Sequence, residues 1–182
     1  ISMEILPERV RRHIKAVQLT DKFITSPETY LKDLLNCTDP RQYLTYLHVL
    51  SLVLPELASR GEPKYIGLAF AVFYRHVKDP NPSFAQRKSF IEDTLKQLGA
   101  HGILDDLIRM AVTLGKGERE GLEVGIALFG THGVPTLLKA LNDSEEDLSK
   151  RKAICNIFLR IGEPCAEQLT DELRAHRMPW FA

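Results

Sequence analysis

Gly-x-Pro occurs three times in this chain, as Gly61-Glu62-Pro63, Gly133-Val134-Pro135 and Gly162-Glu163-Pro164. Each copy follows one amphipathic helical pattern and opens another. Glycine ends a helix because it tolerates the left-handed conformation, and proline opens the next where no backbone donor is needed. Gly99-Ala100-His101-Gly102 supplies a fourth corner without the proline. The corner glycines Gly61, Gly99, Gly133 and Gly162 are 38, 34 and 29 residues apart. That is the period of a helix pair.

The register before each corner repeats. Ile91, Leu95 and Leu98 precede Gly99 at the distances at which Ile154, Phe158 and Ile161 precede Gly162. Gly125, Phe129 and His132 hold those places before Gly133, and Val53 and Leu57 match two of them before Gly61. A step of four and then three follows one face of a helix. Helix pairs of this length cannot bury their own apolar stripes and must stack on neighbours. The expected fold is all-α, with helical hairpins turning at the four corner glycines and two helices before them, and no sheet. Residues 1–38 are the least repeat-like and are expected to form an N-terminal helical cap over the repeats of 39–182.

Gly162-Glu163-Pro164, with Lys150-Arg151-Lys152-Ala153-Ile154 before it and Ala166 and Leu169 after it, resembles the HEAT-repeat family, as does Gly133-Val134-Pro135-Thr136-Leu137-Leu138. The resemblance covers about residues 40 to 182, most clearly in the last third. It implies a right-handed, armadillo-like α-solenoid (an α-α superhelix) of four to five hairpins. In such solenoids the second helices of successive pairs usually line the concave, ligand-facing surface.

Local signals fill in the course of the chain. Pro7 to Gln18 reads as a helix with Val10, Ile14 and Val17 on one face, and Ser26-Pro27-Glu28 starts the next. Asp39-Pro40 is an N-cap and first residue, and Pro55 is expected to kink the helix it opens. Pro63 to Lys78 is apolar around most of its circumference, so Tyr65, Phe70, Phe73 and Tyr74 read as core in preference to a ligand pocket. Ser83 is the expected cap of the helix ending near Leu98. Gly115-Lys116-Gly117 follows no strand and lacks the rest of a phosphate loop, so it reads as a helix break. Gly121 and Gly125, one turn apart, imply close approach of another helix. The acidic turn from Leu141 to Asp147 lacks calcium-loop spacing and suits a helix N-terminus instead.

Composition narrows function by exclusion. The 24 basic and 24 acidic side chains balance, whereas nucleic-acid binders usually carry a basic excess. Cys37, Cys155 and Cys165 form no C-x-x-C pair and read as fillers in a reducing compartment. No apolar run approaches bilayer length and no secretory signal opens the chain, so a bacterial-type cytoplasmic protein is expected. His13, His48, His76, His101, His132 and His176 are scattered, without metal or hydrolase spacing. His101 and His132 sit at corners, where imidazole can satisfy terminal carbonyls.

The reading is therefore a non-catalytic scaffold without cofactor or metal, binding a protein partner or another domain of a longer chain. Arg75, Lys78, Asp105, Arg109, Lys139, Asn142, Gln168 and Asp171, off the apolar stripes of the second helices, are the expected concave face. Their mixed signs suit a protein better than a phosphate backbone. The alternative is a HEAT-like nucleic-acid binder; the resemblance also admits DNA glycosylase-like and bilin lyase-like enzymes. Trp180 and Phe181 read as the start of an interrupted hairpin in a fragment, which leaves a C-terminal edge expected to self-associate.

Overall fold

The structure, a computed structural model, describes residues 6–144 and 147–174. It is 87% helical and has no strand among the described residues. Ten α-helices follow one another there: α1 (Glu8–Thr25), α2 (Pro27–Asn36), α3 (Pro40–Arg60), α4 (Pro63–Val77), α5 (Ala85–Ala100), α6 (Ile103–Thr113), α7 (Lys116–Ala127), α8 (Val134–Asn142), α9 (Leu148–Ile161) and α10 (Ala166–Arg174). Three short 3₁₀ turns, at Pro82–Phe84, Gly130–Gly133 and Glu163–Cys165, precede α5, α8 and α10.

The helix starts follow their sequence signals closely. The Asp39 carboxylate accepts from the amides of Arg41 at 2.7 Å and Gln42 at 3.2 Å, so α3 begins capped. Asp147 accepts from the Lys150 amide at 3.0 Å and opens α9, as the acidic turn implied. The N-cap position of α5 falls one residue beyond the expected Ser83. The turn Pro82–Phe84 intervenes and Phe84 occupies the N-cap position. Helix α3 runs on through Pro55 to Gly61. There φ is 70°, and the Glu62 amide reaches back to the Leu57 carbonyl at 3.0 Å, which closes the helix end.

Two of the four corners move. The glycines with positive φ are Gly61, Gly102, Gly130 and Gly162. Gly99 lies inside α5, where an added Cβ would sit 3.7 Å from the Phe129 ring. Gly133 has φ of −82°, because α7 stops at Ala127 and the 3₁₀ turn puts the left-handed residue at Gly130. Helix α1 extends past the expected Gln18 to Thr25. Its buried residues are Thr20 and Phe23, and Val10 is 41% exposed.

One continuous apolar cluster holds the helices together. It runs from Phe23, Leu31 and Leu34 through Leu47, Phe70 and Leu107 to Ile154, Phe158 and Cys165. Phe23, Leu31, Leu34 and Cys37 thus belong to the same core as the helices that follow. Ile161 and Leu169 pack partly buried against it, and the side chain of Leu173 lies outside the described residues. Helix α1 lies on α3, α3 on α5, α7 on α9, and α2 on α4.

The most extensive helix pairing is α4 on α7, which skips the hairpin between them. Here the two glycines of α7 explain themselves. A Cβ on Gly121 would lie 2.9 Å from the Gly67 Cα, and one on Gly125 would lie 2.0 Å from a Phe70 ring carbon. The two backbones meet at bare glycine, and the Phe70 ring fills the place of a side chain at 125.

Candidate functional site

Two second helices present matched faces to each other. On α6, Asp105, Ile108, Arg109 and Val112 recur at helical spacing, and Thr136, Lys139 and Ala140 on α8, with Asp143 just past its end, do the same. These residues, with Thr113, Ser144 and Lys150, line a groove of about 320 Å³. Ile108 is buried in its floor with Val112 and Ala140 half-buried beside it, while Asp105, Arg109, Lys139 and Asp143 stand exposed along its rims. Arg109 is paired with Asp106 on its own helix, and Lys150 lies 3.3 Å from Asp147. The amide and ammonium of Lys150 hold the Asp147 carboxyl below the usual carboxylate range. At Thr136 this groove meets a larger one of about 650 Å³. That cleft runs over Leu95, Leu104 and Phe129 to Pro164, with Glu92, Lys96 and His132 on its margins.

Three of the eight residues expected on the concave face, Asp105, Arg109 and Lys139, thus line one groove. Asn142 is exposed at the end of α8 but does not line it. Arg75 and Lys78 are exposed at the far end of α4, while on α10 Asp171 is exposed and Gln168 half-buried. Trp180 and Phe181 lie outside the described residues.

A second constellation, buried, was not read from the sequence. Tyr43 donates its hydroxyl to His76 Nδ1 at 2.8 Å, and His76 Nε2–H donates to the Leu35 carbonyl at 3.2 Å. Because the carbonyl only accepts, this fixes the neutral Nε2–H tautomer. Burial, opposed in part by the Leu35 bond, holds the His76 pKa below its ordinary value, and burial raises that of Tyr43. Arg87 donates to the Cys37 carbonyl and lays its guanidinium over the Phe84 ring, 3.7 Å from the centroid. The node has the side chains of a reactive site without the room. The adjoining cavity, lined by Cys37, Tyr43, Phe84 and Arg87 among others, measures about 30 Å³. Both imidazole nitrogens are engaged, so the node ties the end of α2 to α3, α4 and α5.

A third cluster joins α7 to α9. Arg119 Nε and Glu123 Oε1 approach to 3.0 Å without hydrogen-bond alignment, both residues being buried. Arg160 reaches Glu123 at 3.3 Å and Glu120 at 3.5 Å. The sequence marked none of these, because Arg119 and Glu123 alone look like an ordinary surface pair one turn apart. At the α5–α6 corner, His101 Nδ1 lies 2.6 Å from the Gln97 carbonyl, the terminal-carbonyl role read for it. Among the described residues, no group of three or more His, Cys, Asp or Glu side chains is placed to hold a metal ion. No single described helix is long and apolar enough to cross a membrane. Comparisons with protein-family models, curated proteins and solved structures give no match.

Proposed function

We propose that the chain is a non-catalytic HEAT-like scaffold, an α-solenoid whose second helices present the α6–α8 groove to an extended segment of a protein partner. The observation that carries this reading is the groove itself. Successive second helices place Asp105, Arg109, Lys139 and Asp143 around an apolar floor of Ile108, Val112 and Ala140. Mixed rim charge over apolar contact is the usual anatomy of a protein interface. A phosphate backbone would favour a run of one sign. The packing of α1 on α3 on α5, and of α6 beside α8, supports a solenoid. The α4–α7 pairing reaches across the hairpin between them and departs from a strict nearest-neighbour stack. The free thiols of Cys37, Cys155 and Cys165 fit a cytoplasmic setting.

The test is site-directed photocross-linking from Thr136 in a cell lysate. Discrete protein adducts are expected, lost when Arg109 and Lys139 are both changed to Glu and retained after Arg75→Glu alone. Adducts that survive the double change would remove the groove from consideration, and nucleic acid in the adducts would replace the protein partner with a backbone-binding role.

A further inference from the structure

We propose that His76 is a proton-operated latch on the end of α2: in mild acid it takes up a second proton, and that end, with the link of residues 37–39, lifts from the buried node while the other helices stay folded. The latch shares no residue with the α6–α8 groove.

Two side chains from other helices hold the end of α2. His76 of α4 donates to the Leu35 carbonyl at 3.2 Å, and Arg87 of α5 donates to the Cys37 carbonyl. The last carbonyls of a helix lack partners within it, so these two bonds stand in for water. His76 is 3% exposed. With its Nε2–H given to Leu35, a second proton has one place to go, Nδ1, where the Tyr43 hydroxyl already directs its own hydrogen at 2.8 Å. Donor would then face donor, and Tyr43 has no other hydrogen-bond partner among the described residues.

The surrounding charges deepen the conflict. Arg87 from α5 and Arg75 from α4 itself oppose a charge on His76, and Asp79 just past α4 favours one. Tyr43 on α3 and Cys37 at the end of α2 are the neutral titratable groups of the node, and no charged group of α7 acts on the ring. An imidazolium would be buried, with two cations against one carboxylate. The ring therefore charges once water reaches it.

What each helix buries decides which one gives way. Helix α3 buries eight residues and α4 and α5 five each, whereas α2 buries two, Leu31 and Leu34. Residues 37–39 lie outside any helix. Local opening takes the element with fewest buried contacts, so water enters under the end of α2. His76 in the open form regains its ordinary value of 6.5, and burial keeps the closed form below it. Protons thus favour the open form, whose share grows by up to about tenfold per pH unit below about 6.5 until the closed form also protonates.

The three free thiols supply the test. Cys37 is buried at the moving end, Cys155 is exposed, and Cys165 is buried in the last hairpin. The native chain is labelled with dithiodipyridine, a disulfide reagent active in mild acid, across pH 7.5 to 5.5, and each cysteine is read by peptide mass spectrometry. Labelling of Cys155 corrects for the pH dependence of the thiol chemistry. Relative to Cys155, Cys37 should gain severalfold at pH 5.5, up to about tenfold, while Cys165 does not. The gain should vanish in His76→Gln, which keeps an amide donor for Leu35 and cannot titrate. A flat Cys37 ratio, a Cys165 ratio that rises in step, or the same gain in His76→Gln would overturn the proposal. Should His76→Gln fail to fold, the native profile decides. An onset near pH 6.5 belongs to an imidazole, and one below about pH 5 belongs to carboxylates and refutes the latch.

Discussion

Replacing Gly125 by Ala adds one methyl group where the structure has no space for it. The new Cβ would lie 2.0, 2.4 and 2.6 Å from three carbons of the Phe70 ring. Carbon atoms in contact prefer about 3.5–4.0 Å, so the ring must retreat by roughly 1.5 Å. It has nowhere to go, being fully buried with Phe73 and Phe129 edge-on to it at centroid distances of 6.1 and 6.3 Å. Overpacking of this kind costs about 1–3 kcal/mol. The size of the required shift puts Gly125→Ala near the upper end. Against it stands the helix-propensity gain of about 1 kcal/mol for Gly to Ala. The net expectation is a loss of about 2 kcal/mol, or roughly 4–8 °C in Tm for a chain of this length.

Urea titration followed by helix ellipticity measures the loss, and α7 supplies its own control. Gly117 lies in the same helix with nothing within 4 Å of an added Cβ, so Gly117→Ala should be neutral or stabilising. A cycle with Phe70→Leu completes the test. With the ring gone, the alanine should cost less than it does alone, by about 1 kcal/mol or more. If Gly125→Ala behaves like Gly117→Ala, or if the two changes simply add, helices α4 and α7 do not meet as described.

Lowering the pH should weaken the fold through His76. Its folded pKa lies below the unfolded value of 6.5, so the unfolded chain takes up the proton first and stability falls as pH drops below about 6.5. Urea midpoints at pH 7.5 and 5.5 should differ less in His76→Gln than in the native chain; an unchanged difference would mean that His76 is not the titrating group. Phe158→Ala, at a buried position shared by the last hairpins, should cost about 3–5 kcal/mol in the same titration. A loss below about 1 kcal/mol would misplace that face of α9. Asp39→Ala removes the acceptor for two amides at the start of α3 and should cost about 1 kcal/mol, with Asp39→Asn largely restoring it.

The helices were legible because their signals are local. Asp39-Pro40, Glu62-Pro63 and Asp147 fix where helices begin through atoms within a few residues of one another. Which glycine turns a corner is less local. Gly99 and Gly102, like Gly130 and Gly133, lie three residues apart, and either of each pair can take the left-handed turn. Helix α5 runs on past Gly99 to Ala100, so its left-handed turn falls at Gly102, and the early end of α7 hands the turn to Gly130. Alignment on Gly-x-Pro could not see either. The glycines inside α7 were legible as a demand for close approach, though not as to which helix approaches. Gly67 and Phe70 are more than 50 residues away in sequence from their partners.

The sites divide along the same line. The groove itself was not read from the sequence; Asp105, Arg109 and Lys139, three of the eight residues expected on a concave face, line it because each is placed by the period of its own helix. The buried polar groups were not legible, because the quality that distinguishes them is burial by other elements. Tyr43 and His76 are 33 positions apart, and Arg87 and Cys37 are 50. In the sequence nothing marks any of them as a member of a shared cluster. Leu148 and Leu159 show the converse. Leucines on a helix read as core, and only a structure that leaves them uncovered can turn them into a surface. Buried polar groups and exposed leucines alike are residues whose chemistry and exposure disagree, and exposure is the half of that comparison a sequence does not carry.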